Sequence, residues 1–257
     1  MKSAIIIPAR YASTRLPHKL LLCSTGKPLI QHTYESALKA TLPVYVTIAC
    51  DHVEIFNAVK QFGGSVQMTD PNAPSGTDRI AEVAAALDDI DIVVNVQGDE
   101  PEIAGSSIDL AIQMLIDTPD AVMSTLATPI RNRQHLEDPA CVKVVFDAQY
   151  RALYFSRSVI PHIRGGLKDE HFTHMSPLFY QHIGLYAYRR DFLLQLSRLP
   201  QSELEKAESL EQLRILHHGY SMMVGVVEEA TIGIYTPEDY RRFVEKHNQE
   251  RRAYALR

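Results

Sequence analysis

Three cations, Arg10, Arg15 and Lys19, follow an apolar run near the start of the chain, with hydroxyls at Ser13 and Thr14 between them. Arginine offers planar, bidentate donors to a phosphate, and lysine a mobile point charge. The small residues around them let backbone N–H groups approach an anion. Residues 8–19 contain no glycine. The stretch is therefore neither a G-x-x-x-x-G-K-[ST] loop nor a G-x-G-x-x-G loop. This pattern points to polyphosphate binding and to nucleotidyl transfer, away from kinases and dehydrogenases. Read alone, the same charges also suit a solvated cationic turn.

A second group is N-V-Q-G-D-E-P at 95–101. Asp99 follows a strongly apolar run, where a carboxylate facing a triphosphate would serve Mg²⁺, a hard cation held by one or two carboxylates plus phosphate oxygens. The alternative is a helix N-cap. Gly98 permits close backbone approach, and Glu100 and Glu102 could assist or simply be exposed. A third group, S-G-T-D-R at 75–79, sets hydroxyls and free N–H groups before a helix. Such a turn can bind a base edge or a phosphate, or be an ordinary capped helix start. Finally, Arg157, His182, Tyr186, Glu211 and Gln212 are polar residues embedded in apolar runs. A buried polar group without a partner costs about 1–3 kcal/mol, and a hydroxyl-rich acidic sugar would satisfy several of these. His182 reads equally well as a satisfied core residue.

The elements that must position these groups alternate. Strands are expected over 4–7, 44–49, 65–68 and 90–96, and helices over 28–39, 53–62, 78–87 and 106–115. The run at 4–7 is expected to stop at Pro8, which cannot donate to a central ladder. Gly63 and Gly64 are expected to end the second helix. This rhythm argues an α/β fold with a doubly wound, mostly parallel sheet, in which ligands sit outside the carboxyl ends of the strands. Arg10 to Lys19 and Asp99 would both lie there. Beyond residue 120 the rhythm loosens. Strands are expected over 121–128, 142–146, 152–155, 183–188 and 222–227. Helices are expected from 191 and over 204–217 and 237–252, and a long mobile loop over 164–177. We read a single domain over residues 1–257, with an insertion at about 129–190 that carries dimer or substrate contacts.

Bulk composition narrows the classes. The chain has 257 residues, is 46% hydrophobic and 22% charged, and carries a net charge of -5. That balance gives no support for non-specific nucleic-acid binding. No apolar run reaches the ~18 residues of a membrane span, and Pro8 and Arg10 cut the first run below the ~7–15 residues of a signal-peptide core. Three dispersed cysteines, Cys23, Cys50 and Cys141, cannot form a complete disulfide framework. A reduced, cytoplasmic setting is expected.

In this order, I-P-A-R-Y-A-S-T-R-L-P-H-K, S-G-T-D-R, N-V-Q-G-D-E-P, A-L-Y-F-S-R, H-I-G-L-Y and L-E-Q-L-R resemble the 3-deoxy-manno-octulosonate cytidylyltransferase (CMP-Kdo synthetase) family over nearly the whole chain. The resemblance implies a nucleotide-diphospho-sugar transferase fold, a homodimer, a cytoplasmic location and Mg²⁺. It also implies the reaction CTP + Kdo → CMP-Kdo + pyrophosphate, which activates the sugar for lipopolysaccharide assembly. By matching position, Arg10, Ser13, Arg15 and Lys19 would hold the triphosphate, and Pro8, Ala9, Ser75 and Gly76 would line the cytosine site. Gln97, Arg157, His182, Tyr186, Glu211 and Gln212 would hold the sugar, Asp99 the metal, and Arg15, Lys19 and Asp99 would carry catalysis. The chain departs from the family at His18 and Leu20, where R-L-P-G-K-P is usual. It departs again at Tyr235, where an aspartate usually supplies a second metal ligand. Neutral tyrosine is a poor Mg²⁺ ligand. Two alternatives therefore stand beside the main reading: the same reaction on an amino-substituted octulosonate or another acidic sugar, and a CTP-binding homologue with reduced catalysis.

Overall fold

The computed structural model describes residues 1–13, 15–173, 177–229, 231 and 233–255. Thr14, and residues 174–176 of the expected loop, lie outside the described residues. The chain divides into two compact units. One comprises Lys2–Asp109 with Thr231–Arg257, the other Met1 with Leu110–Ala230.

The first unit is built on four parallel strands. These are β1 (Ser3–Ala9), β2 (Pro43–Cys50), β3 (Val66–Met68) and β4 (Ile92–Asn95), in the order β3-β2-β1-β4. β1 lies between two neighbours, and Ile5, Ile6 and Ile7 are fully buried. This is why its sequence is a continuous apolar run and not an alternating one. Each such side chain contributes about 1.5–3 kcal/mol by burial. The helices are α1 (Leu29–Ala37), α2 (Val53–Gln61), α3 (Gly76–Ala85), the start of α4 (Gly105–Asp117), and α10 (Pro237–Ala255), whose intervening numbers belong to the second unit. α2 buries Ile55 and Val59 on one face, and Gly63, at φ 78°, ends it in the left-handed region. α10 docks through Tyr240 and Phe243 onto Leu16, Leu29 and Ile234, returning the chain's last segment to the loop after β1.

One expectation is corrected here. β1 does not stop at Pro8 but continues through Ala9, pairing with Ala49 and Cys50 of β2. The proline is tolerated because the β1–β4 ladder has ended at Ile6 and Asn95. The Pro8 carbonyl faces Gly98 on that side, so the absent N–H falls beyond the last rung.

In the second unit β5 (Ala121–Pro129) pairs antiparallel with β8 (Tyr180–Arg189) and parallel with β9 (Ser221–Val226). β6 (Lys143–Phe146) and β7 (Ala152–Ser156) form a hairpin that joins β8. α5 (Arg133–Glu137), α6 (Glu170–Thr173), α7 (Arg190–Leu196), α8 (Glu203–Glu208) and α9 (Gln212–His217) complete it. The class expected from the sequence, mixed α/β with a mostly parallel sheet, is the class observed. Two local readings change. The expected helix over 204–217 is split into α8 and α9, because Ser209 adopts φ 53° and closes the first piece with an αL cap. Nor is 164–177 simply a loop: it contains α6, and Phe172 is buried with Ile130, Leu136, Cys141 and Phe179. α5 has too short an apolar period to be read from sequence; its start is the Asn132 side chain, which caps the His135 N–H.

Candidate active site

The carboxyl ends of β1 and β4 open onto a cavity of about 290 Å³. Pro8, Arg10, Ser13, Lys19 and Gly76 line it, with Gln97 and Asp99. It thus gathers five of the residues expected around a nucleotide, the expected metal carboxylate and one expected sugar residue. Gly98 makes the approach possible, since a Cβ there would lie 3.0 Å from the Pro8 carbonyl oxygen and 3.2 Å from Ile30 Cδ1.

Three expected nucleotide residues stand differently. Ala9 is fully buried in β1 and does not line the cavity. Ser75 caps α3: its hydroxyl accepts from the Asp78 N–H at 3.0 Å and donates to Asp78 Oδ2 at 2.6 Å. Its side chain is therefore committed to the helix, and Gly76 presents the bare backbone. Arg15 is exposed beside the ring of Tyr235, its guanidinium 5.3 Å from the centroid.

At the centre, Lys19 Nζ meets Asp99 Oδ2 at 2.5 Å and also donates to the Ile234 carbonyl at 3.1 Å. The Ile234 N–H in turn donates to the Asp99 carbonyl at 2.8 Å. The segment leading into α10 thereby holds both charged partners. Glu100 is not exposed, as the sequence allowed, but 5% accessible. Burial, and then the adjacent Asp99 charge, push its carboxyl up to about 7. Glu102 is half-buried and paired with Lys246 of α10. The Tyr235 phenol is held well above its ordinary value by burial and by Asp99 and Glu100, so it stays neutral at any working pH.

A buried relay fixes the loop that carries Arg10. Arg79 is fully buried and donates to Thr69 Oγ1 and to the Asp70 carbonyl. Its Nη2 lies 3.5 Å from Asp51 Oδ2, and Asp51 accepts the Tyr11 N–H at 2.9 Å. The Tyr11 ring stacks on His52 at 3.9 Å, and Arg10 Nη2 donates to the Ala73 carbonyl at 3.2 Å. Sequence reasoning missed this pair. Its only signal was Asp51, a carboxylate directly after the apolar β2 run.

The remaining sugar candidates lie in the second unit. His182 on β8 is buried and neutral: burial holds its imidazole down at about 3, and Nε2 is 2.8 Å from Thr125 Oγ1. Tyr186 lies 5.5 Å from it, ring to ring. Arg157 directs its guanidinium to the carbonyls of Glu208 and Pro139, at 2.7 and 3.1 Å. Glu211 occupies the N-cap position of α9 without a side-chain capping bond, and Gln212 begins the helix. Gln212 is 4% accessible, and its Nε2 has no hydrogen-bond partner. A buried orphan donor at the start of a helix is a place where a ligand oxygen would be stabilising.

As a metal site the donor set is sparse. Asp99 is the carboxylate lining the cavity, and among the described residues no cluster of three His, Cys, Asp or Glu side chains could hold an ion. A single carboxylate still fits Mg²⁺ carried mainly by substrate phosphates.

The chain matches the protein family described as Cytidylyltransferase over residues 4–227. It is 48% identical to a 3-deoxy-manno-octulosonate cytidylyltransferase of Rhodopirellula baltica, covering 95% of this chain and 97% of that protein. A protein of the same name from Geotalea daltonii is also 48% identical, over 96% of this chain and 98% of its own length. Among solved structures, CMP:2-keto-3-deoxy-manno-octonic acid synthetase complexed with CTP superposes with a TM-score of 0.90 at 40% identity. It covers 97% of this chain and 100% of that one. A cytidylyltransferase of Leptospira borgpetersenii, at 17% identity and a TM-score of 0.60 over 95% of this chain and 85% of that one, shares the fold.

Proposed function

This chain belongs to the cytidylyltransferase family, and we propose that it activates Kdo with CTP to give CMP-Kdo and pyrophosphate. The observation that carries this reading is the cavity at the ends of β1 and β4, where Arg10, Ser13, Lys19 and Asp99 converge on a space open to polyphosphate. The 40% identical synthetase, whose structure was solved with CTP, supports the nucleotide. The relatives named for 3-deoxy-manno-octulosonate support the sugar and, with it, a role in lipopolysaccharide biosynthesis.

The sugar's anomeric hydroxyl attacks the α-phosphorus of CTP and pyrophosphate leaves in line. Positioning and charge neutralisation carry such a reaction. Arg10 and Arg15 bind phosphate oxygens, and Lys19, held beside Asp99, neutralises the departing pyrophosphate. Pro8 and Gly76, whose would-be Cβ lies 3.6 Å from Pro8 Cγ, form the flat wall for the base. Gln97, which lines the cavity, orients the sugar. No covalent nucleophile is required. Mg²⁺ would be held by Asp99 with the nucleotide's own phosphate oxygens, and when bound it supplies charge neutralisation at the phosphates.

The described cysteines are all free thiols, and among the described residues no helix is long and apolar enough to cross a membrane. The free thiols support the assignment to the cytoplasm. Homodimerisation through residues 129–190 is supported by the exposed Tyr150, Leu153 and Leu178. Tyr235 favours a second reading, a CTP-binding homologue with a different acidic sugar or weakened catalysis. A pyrophosphate-release assay with CTP, Mg²⁺ and a panel of acidic sugars decides. Release with Kdo supports the main reading, release with another sugar alone redirects it, and CTP binding without release selects the second.

A further inference from the structure

Tyr235 stands beside two cations, Lys19 of the cavity and the exposed Arg15. Its ring has the Arg15 guanidinium 5.3 Å from its centroid and the Lys19 ammonium at 5.6 Å. Two cations that would repel each other are therefore gathered on one aromatic residue, whose π face is attractive to both. The ring is itself held in place. The Tyr235 N–H donates to Asp239 Oδ2 at 3.1 Å, and the Thr236 N–H and hydroxyl donate to the same oxygen at 2.8 Å. The phenol folds back over Gly233, where a Cβ would sit 2.5 Å from the Tyr235 oxygen. Gly233 thus leaves the space that the phenol occupies. Lys19 is anchored on its other side by Asp99 and by the Ile234 carbonyl. Its ammonium consequently reaches the cavity from a fixed base, although its stem is flexible.

We propose that Tyr235 is a positioning residue for the phosphate site: its ring clamps Arg15 and Lys19 together, so that the triphosphate meets two preassembled cations before any metal is bound. The clamp rests on the reading of this cavity as a nucleotide site. In its absence each long side chain must be ordered on binding, which costs side-chain entropy.

The test is calorimetric binding in EDTA, with CTP and, separately, inorganic tripolyphosphate, on wild type, Tyr235→Phe and Tyr235→Leu. Tyr235→Phe keeps the ring and should bind both ligands as wild type does. Tyr235→Leu keeps an apolar side chain and loses the π face, and should bind both about tenfold more weakly, the cost of ordering two long side chains on binding. Tyr235 is 42% exposed as a whole residue, and Phe and Leu both leave an apolar side chain over Gly233. Unchanged or tighter binding by Tyr235→Leu overturns the clamp, as does a loss in Tyr235→Phe equal to that in Tyr235→Leu. If wild type binds tripolyphosphate but not CTP, the nucleotide reading fails and the tripolyphosphate series still decides the clamp. If wild type binds neither, both fall.

Discussion

Asp51→Asn should cost the protein about 3 kcal/mol and loosen the phosphate loop with it. The Arg79 side chain is 1% accessible and Asp51 13%, with 3.5 Å between the charged groups. At an effective dielectric of about 20, that separation gives a gross attraction of about 5 kcal/mol. Breaking a buried pair from one side typically costs about 3–5 kcal/mol, because the surviving charge is left uncompensated. Arg79 keeps its bonds to Thr69 and the Asp70 carbonyl, which places the expected loss at the lower end. Its Nε already lacks a partner, so little slack remains. For a chain of this length, 3 kcal/mol corresponds to a fall in Tm of roughly 6 °C or more. Urea titration at pH 7.5 measures it. The same substitution takes the carboxylate from the Tyr11 N–H, so the KM for CTP should rise several-fold while kcat changes less. Replacing both partners, Asp51→Asn with Arg79→Met, should recover stability relative to the single variant, since the buried charge is then gone. A single-variant loss below about 1 kcal/mol, or a double variant no more stable than the single, would refute the pairing.

Asp99→Asn should lower turnover at least a hundredfold, about 2.7 kcal/mol of barrier; near-normal turnover at saturating Mg²⁺ would remove Asp99 from the site. Arg15→Ala should weaken CTP binding by about 1.5–3 kcal/mol, the range for hydrogen bonds to charged groups, with isothermal titration as the readout. Buried His32, 2.7 Å from Thr25 Oγ1, is held down at about 4 by burial and then by His247. Its folded value is below the unfolded one, so the unfolded chain takes the proton first. The stability it contributes is complete above about pH 6.5 and is lost as pH falls toward 4, amounting to about 2 kcal/mol at pH 5. His32→Gln should flatten the decline in unfolding free energy between pH 6.5 and 5 by about that amount; an identical slope would contradict the shift.

The order of elements and the motifs were legible in the sequence because they are local. A strand buried on both sides must be apolar throughout, as β1 is. Gly63 had to terminate α2, and Gly98 marked close approach. Arg10 and Asp99 could be placed at one edge for the same reason: each follows an apolar run, and the carboxyl ends of parallel strands share one edge. What tertiary structure alone decided depends on groups distant in the chain. Lys19 lies on Asp99 because β1 and β4 are adjacent, and Tyr235 reaches both cations because α10 docks back on Leu16 and Leu29. Glu100 reads as one more surface carboxylate until burial shows it near neutrality. The break at Ser209 follows from how α8 and α9 pack, which helical periodicity does not encode. Periodicity reports which face a residue takes; desolvation, and the partner that answers it, exist only once the chain has folded.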